Sequence, residues 1–253
     1  MADRPETPPA PAWEPYAGDL DATLVVRLTL AERVQHIVLM ASFTLLVVTG
    51  IPLLFPGSPL VHLFGGIFPL RTFLHRFAGS TLAALAAFHV LYVLFSEEGR
   101  RDFGRIAPRI QDVKDFVHYL KYQLGKVDEP PPFGKFNPFE KIEYFAVVWG
   151  SAVMVATGFM MWFFEATLRL FPKWVYDLIL MIHGYEALLA FLSIIIWHLY
   201  NVHLKPGVFP MSRLWLNGKI TLRELRHEHP REYRAWLRRQ RIQPTENGEN
   251  GES

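Results

Sequence analysis

HRFAGSTLAALAAFH (residues 75–89) and HGYEALLAFLSIIIWH (residues 183–198) each begin and end on histidine inside an apolar stretch. His89 lies fourteen positions after His75, and His198 fifteen after His183. At ~1.5 Å rise and ~100° turn per residue, those steps advance about 21–22 Å and return to within roughly 40–60° of the starting face. As helices, both stretches therefore carry one imidazole near each end, turned toward the same neighbour. An ionisable side chain inside an apolar helix is costly and points to function.

The surroundings of these stretches set the class. The chain has 253 residues, 51% hydrophobic and 14% aromatic, and its charges fall between and after long apolar runs. Four runs have the length that a ~30 Å hydrocarbon layer requires: residues 34–55, 73–95, 142–164 and 178–204. The expected fold is all-α, a membrane four-helix bundle. No internal repeat is expected, since the two histidine-bearing spans share their spacing and little else.

Lys and Arg number three before the first span, two about the first loop, nine in the second loop, two in the third and ten in the tail. This asymmetry places loops two and four, with the N- and C-termini, on the cytoplasmic side of a bacterial inner membrane. The Pro-rich opening (Pro5, Pro8, Pro9, Pro11, Pro15) lacks the basic start and early apolar core of a cleaved leader. Residues 1–24 read as a disordered or partner-bound arm, residues 25–208 as the membrane domain and residues 209–253 as a basic cytoplasmic tail. Val25–Arg33 is expected to open an interfacial helix, and helix is expected over Thr221–Gln240.

In the second loop, Ile110, Val113, Phe116, Val117, Leu120 and Leu124 recur at helical spacing against Asp112, Lys114, Asp115 and Lys121. This pattern predicts an amphipathic helix lying on membrane lipid, stopped by Pro130-Pro131-Pro132.

The absence of cysteine excludes disulfides, iron–sulfur ligation and thioether-linked haem. Four intramembrane histidines at matched depths are instead the pattern of two stacked, non-covalently held haems b. Depth pairs His75 with His183 at the outer side. At the inner side, His198 has two candidate partners: His89, by spacing, and His36, which opens the first span. His203 lies ~140° around an α-helix from His198 and is a weak candidate for a third haem. His62, His118, His227 and His229 read as solvated surface. Arg33, Arg76 and Lys205 are candidate partners for haem carboxylates. Glu186, one turn from His183, is a candidate to back a ligand or carry protons, and Gly50, Gly79, Gly150, Gly158 and Gly184 permit close approach within the bundle.

Several motifs taken in order carry a family resemblance over residues 30–240. They are Glu32-Arg33-Val34-Gln35-His36, Thr49-Gly50, Leu74-His75-Arg76-Phe77-Ala78-Gly79, Gly134-Lys135-Phe136-Asn137, Thr157-Gly158, Ile182-His183, Trp197-His198-Leu199-Tyr200, Asn217-Gly218-Lys219 and His229-Pro230 with Tyr233. The chain resembles the membrane cytochrome b (gamma) subunits of respiratory formate dehydrogenases and the cytochrome b of nickel–iron hydrogenases. That resemblance implies an outer haem on His75 and His183, an inner haem on His36 and His198, and quinone beside the inner haem at Asn137 and His198. The sequence departs from the family at His89, an apolar position there, and in the extra residue between His183 and His198. In those features it is similar to the cytochrome b of bc1 and b6f complexes and to bacterial cytochrome b/b6-type proteins, so the inner pair stays open between His36 and His89.

The expected function is a di-haem b-type cytochrome subunit moving electrons across the membrane between a partner and quinone (menaquinone or ubiquinone). The partner is an iron–sulfur protein or a multihaem c-type cytochrome, and no nucleic acid is involved. Glu140 and Glu143 are candidate proton carriers. The alternatives are a self-contained cytochrome b561-like quinol oxidoreductase and an electron conduit to a multihaem c-type cytochrome.

Overall fold

The computed structural model describes residues 19–55, 57, 68–205 and 208–242. Four long apolar helices dominate it: span one Leu30–Leu54, span two Phe68–Phe95, span three Pro138–Trp162, and span four, α-helical over Lys173–Leu192 and continuing to Leu204. The expected spans all appear, and each begins four or five residues earlier than its hydropathy suggested. Capping explains two of those shifts. Thr29 Oγ1 accepts the Glu32 N–H at 3.2 Å while Glu32 Oε2 accepts the Thr29 N–H at 2.7 Å. Asn137 and Glu140 make the same reciprocal pair ahead of span three, with Pro138 at its first position. Polar residues thus start both helices outside their apolar runs.

Span one packs on span two and span three on span four; spans two and three, and spans one and four, close the ring. The four helices bury few of their own apolar side chains, and most large apolar residues face outward, as expected of helices whose solvent is lipid. Thr49, Thr157, Ser42 and Gln35 are instead buried within the ring.

The second loop holds two helices, Glu97–Ile106 and the amphipathic Ile110–Gln123. The latter ends at Gly125, whose φ of 65° suits a residue without Cβ. Gly125 is therefore the stop, ahead of the prolines to which the sequence assigned it. Lys141 at the base of span three bonds both Asp112 carboxylate oxygens (2.8 and 2.9 Å), and Phe139 packs against Phe116 and Tyr119. Ile110, Val113, Val117, Leu120 and Leu124 stay exposed along one face.

The Val25–Arg33 segment differs from the expected interfacial helix. Leu24–Val26 is a strand paired antiparallel with Lys219–Thr221, and the helix waits for its Thr29 cap. The tail helix is broken at His229-Pro230 into Leu222–Glu228 and Pro230–Ile242. Leu222, Leu225, Tyr233 and Leu237 form a small core there, joined by Leu20, Val25, Ile220 and Trp236.

His229 is a correction to the reading as solvated surface: it is 3% exposed, and its Nδ1–H donates to the Gly134 carbonyl at 2.6 Å. Arg231 makes a two-pronged contact with Asp115 and donates its backbone N–H to Phe133. Residues 133–134 are thereby clamped against the tail. His118 and His227 are exposed as expected, while residues 1–18 and His62 lie outside the described residues.

Burial, reinforced by the Arg27 charge, pushes His229 down to about 3 from its ordinary 6.5. A histidine whose folded value is depressed contributes stability that is complete above 6.5 and fades as pH falls from there toward 3. Protection factors of the amides over residues 222–237, which are corrected for intrinsic exchange, should accordingly fall between pH 7.5 and 5.5, and His229→Asn should flatten that dependence.

Candidate functional site

Within the ring the histidines face one another in two pairs. His75 on span two meets His183 on span four with ring centres 6.5 Å apart, and His36 on span one meets His198 on span four at 6.3 Å. The first pair lies toward the loop between spans one and two, the second toward the end that holds the tail. Among the described residues no three His, Asp or Glu side chains converge to hold a bare metal ion. The imidazoles are disposed as opposed pairs.

Each ring of the first pair is set by the helix beside it. Thr49 Oγ1 donates to the Leu45 carbonyl at 2.6 Å and so accepts the His75 Nδ1–H at 2.8 Å. Thr157 Oγ1 donates to the Val153 carbonyl at 2.6 Å and accepts the His183 Nδ1–H at 2.8 Å. Both rings therefore hold a proton on Nδ1 and leave Nε2 without a protein partner among the described residues. The residue after each threonine is glycine. A Cβ at Gly50 would sit 3.4 Å from His75 Cε1, and one at Gly158 3.3 Å from His183 Cε1. Thr-Gly thus acts as a unit in which one residue fixes the tautomer and the next leaves room for the ring.

His198 Nδ1–H donates to Glu143 Oε2 at 3.1 Å. His36 Nδ1 is buried without a hydrogen-bond partner. His89 has neither ring nitrogen free: its Nδ1–H donates to Gln35 Oε1 and its Nε2 accepts from the Tyr144 hydroxyl, both at 2.8 Å. The structure therefore brings together His75 with His183 and His36 with His198, and turns His89 to Gln35 and Tyr144.

Span four accommodates its extra residue by changing helix type. Ser193–His198 is π-helical, with the Leu199 N–H bonded to the Ile194 carbonyl, and Tyr200–Leu204 is π-helical again. A π turn takes in one more residue than an α turn, so fifteen steps from His183 to His198 do the work of fourteen.

The hydrogen bonds expose a repeat that hydropathy concealed. Thr49 and His75 are 26 positions apart, as are Thr157 and His183. Gln35 holds a histidine 54 positions on, and Glu143 one 55 positions on. Spans one and two therefore correspond to spans three and four, with the π turn supplying the odd residue. Thr49, Thr157 and Gln35 entered the sequence reading only as parts of motifs, with no contact assigned to them, and Tyr144 did not enter it; the recurrence of Thr-Gly a fixed distance before histidine was the available signal.

The remaining candidates find other partners. Asn137 caps span three through Oδ1, leaving its Nδ2 amide for other contacts. Glu140 lies 3.5 Å from Arg27, and Glu186 lies against Gly150. Arg33 donates to the Leu216 carbonyl, Lys205 pairs with Glu228 at 3.3 Å, and Arg76 stands 4.9 Å over the Trp162 ring. His203 Nδ1 is buried without a hydrogen-bond partner.

A six-coordinate iron between two imidazoles would place their ring centres about 6.2 Å apart, from two bonds of about 2 Å and ~1.1 Å from each nitrogen to its ring centre. Both observed separations fit that requirement. Opposed imidazoles in both pairs, with glycines beside His75 and His183, are what a flat bis-imidazole cofactor needs. By this test the residues present fit haem.

The sequence model of the family described as prokaryotic cytochrome b561 matches residues 27–209. The chain is 24% identical over 213 residues to the nitrate-inducible formate dehydrogenase cytochrome b556(Fdn) subunit of Escherichia coli K12, covering 83% of this chain and 91% of that one. It is 22% identical over 214 residues to the formate dehydrogenase cytochrome b556 subunit of Haemophilus influenzae Rd, covering 84% and 83%. Against the cytochrome b556(fdo) subunit of Escherichia coli K12 it is 23% identical over 215 residues, covering 83% and 92%.

Replacing Thr49 or Thr157 by valine strands a buried Nδ1–H. Each substitution should lower stability by about 1–3 kcal/mol, read as a fall in the unfolding midpoint of the detergent-solubilised protein. Serine at either position should restore most of it.

Proposed function

The chain belongs to the prokaryotic cytochrome b561 family, and from that premise we propose that it is the di-haem subunit of a membrane dehydrogenase, carrying electrons from a redox partner to quinone. The observation that carries this reading is the pair of imidazole separations, 6.3 and 6.5 Å. His75 and His183 hold one haem b, and His36 and His198 the other. His36 and Thr49, on span one, are thirteen positions apart, which sets the two sites about 20 Å apart along the bundle. The names of the relatives point to a formate dehydrogenase complex, and the donor is a partner subunit, an iron–sulfur protein or a multihaem c-type cytochrome.

When bound, haem supplies a one-electron Fe(III)/Fe(II) couple. The chain's own residues set the conditions. Thr49 and Thr157 hold the protons of His75 and His183 on Nδ1, which leaves Nε2 as the nitrogen that would hold the iron. Glu143 accepts from His198 and makes that imidazole the more basic ligand. His89 stays outside both pairs, its nitrogens occupied.

The basic loops and tail put both termini and the His36–His198 site on the cytoplasmic side of the inner membrane. The exposed apolar face of Ile110–Gln123 then rests on the lipid surface. Residues 25–208 form the electron-carrying unit, and the tail from residue 209 braces its cytoplasmic end. Asn137, at that end, donates from Nδ2 to a quinone carbonyl beside His198 while Oδ1 keeps its capping bond. Glu140 and Glu143 bring protons from the cytoplasm.

The test is haem per chain with low-temperature EPR. The purified protein should hold two haems; His75→Ala and His183→Ala should lose one and the same haem, His36→Ala and His198→Ala the other. His89→Ala should keep both. Loss of a haem in His89→Ala with retention in His36→Ala would overturn the inner assignment.

A further inference from the structure

The repeat extends beyond the threonines. Gln35 and Glu143, His36 and Tyr144, Thr49 and Thr157, Gly50 and Gly158, and His75 and His183 are each separated by 108 positions. His89 corresponds to His198 once the π turn of Ser193–His198 is allowed for. The contacts obey the same correspondence. In the first hairpin Gln35 accepts from His89 Nδ1, and in the second Glu143 accepts from His198 Nδ1. Across the bundle, His198 faces His36 and His89 faces Tyr144. The pair of His75 and His183 maps onto itself.

We infer that His89 and Tyr144 form the twin of the His36–His198 site, a second position of the same kind that Tyr144 closes to haem. The proposal rests on the reading that His36 and His198 hold the inner haem. Two features of the twin exclude iron. The Tyr144 hydroxyl donates to His89 Nε2 at 2.8 Å and occupies the lone pair a metal would use. The rings stand 5.7 Å apart, against 6.3 Å in the His36–His198 pair, so less room lies between them than two metal–nitrogen bonds need.

A third feature biases the choice. The carboxylate of Glu143 strengthens His198 as a ligand, whereas the neutral amide of Gln35 gives His89 no comparable help. One residue of each hairpin's entry, His36 or Tyr144, thus decides on which side of the bundle the inner haem sits. Tyr144 is the specificity-determining residue of this choice: it keeps the chain to one inner haem in one place.

The test moves the haem across the bundle. His36→Tyr, which installs the twin's own residue, should leave one haem per chain with the His75–His183 EPR signal unchanged, and that signal serves as the folding control. Adding Tyr144→His should return a second low-spin, bis-imidazole haem. Adding His89→Leu to this double variant should remove the recovered haem, and adding His198→Leu should not. A double variant that stays at one haem per chain, with the other signal intact, overturns the twin site and leaves the ligand assignment standing. Loss of the recovered haem to His198→Leu in place of His89→Leu overturns it as well. If His36→Tyr alone keeps two bis-imidazole haems, the inner assignment itself fails and the twin falls with it.

Discussion

The structure depends on where an imidazole inside an apolar layer puts its Nδ1 proton. Water is not available there to accept it, and an unmet donor in such surroundings costs on the order of 1–3 kcal/mol. Thr49, Thr157, Gln35 and Glu143 answer this for His75, His183, His89 and His198. Each lies on the partner helix of its own hairpin, so the bond that sets a tautomer also sets the rotation of one helix against the next. Thr49 and Thr157 are doubly committed, since each hydroxyl also donates within its helix. Their direction cannot reverse without breaking a second bond.

At the end that bears the tail a different physics takes over. Charged groups that the bundle interior excludes are paired there: Lys141 with Asp112, Lys135 with Asp102, and Arg231 with Asp115. These bonds gather the second loop, the start of span three and the tail around Lys135-Phe136-Asn137. The short sheet between Leu24–Val26 and Lys219–Thr221 brings the two ends of the described chain together. The segment proposed to meet quinone is therefore braced from both sides, by Asp102 and by His229 with Arg231.

Much of this was legible in the residue order. Hydropathy found all four spans, because lipid-facing side chains carry the signal directly. Helical periodicity put His75, His89, His183 and His198 at matched depths, because depth within one helix follows from rise per residue alone. Helix starts were missed by several residues, because the caps at Thr29 and Asn137 are polar and lie outside the apolar runs. His229 was misjudged because its burial comes from residues 133–134 and the tail core, distant in sequence. The repeat escaped because it resides in which side chains bond. Gln35 and Glu143, or His36 and Tyr144, share little chemistry as letters.

By itself the sequence determined a four-span membrane helical protein, the absence of any thiolate chemistry, and two layers of imidazoles about 20 Å apart, since α-helical rise fixes spacing along an axis. Only the tertiary structure decided which imidazoles face each other. That choice depends on the rotation of one helix relative to another, which is set by bonds between helices: Gln35 and Tyr144 turn His89 aside, and the π turn of span four brings His198 to His36. The two stretches that begin and end on histidine are consequently alike in sequence and unlike in use: both ends of the second face a histidine across the bundle, but only one end of the first does.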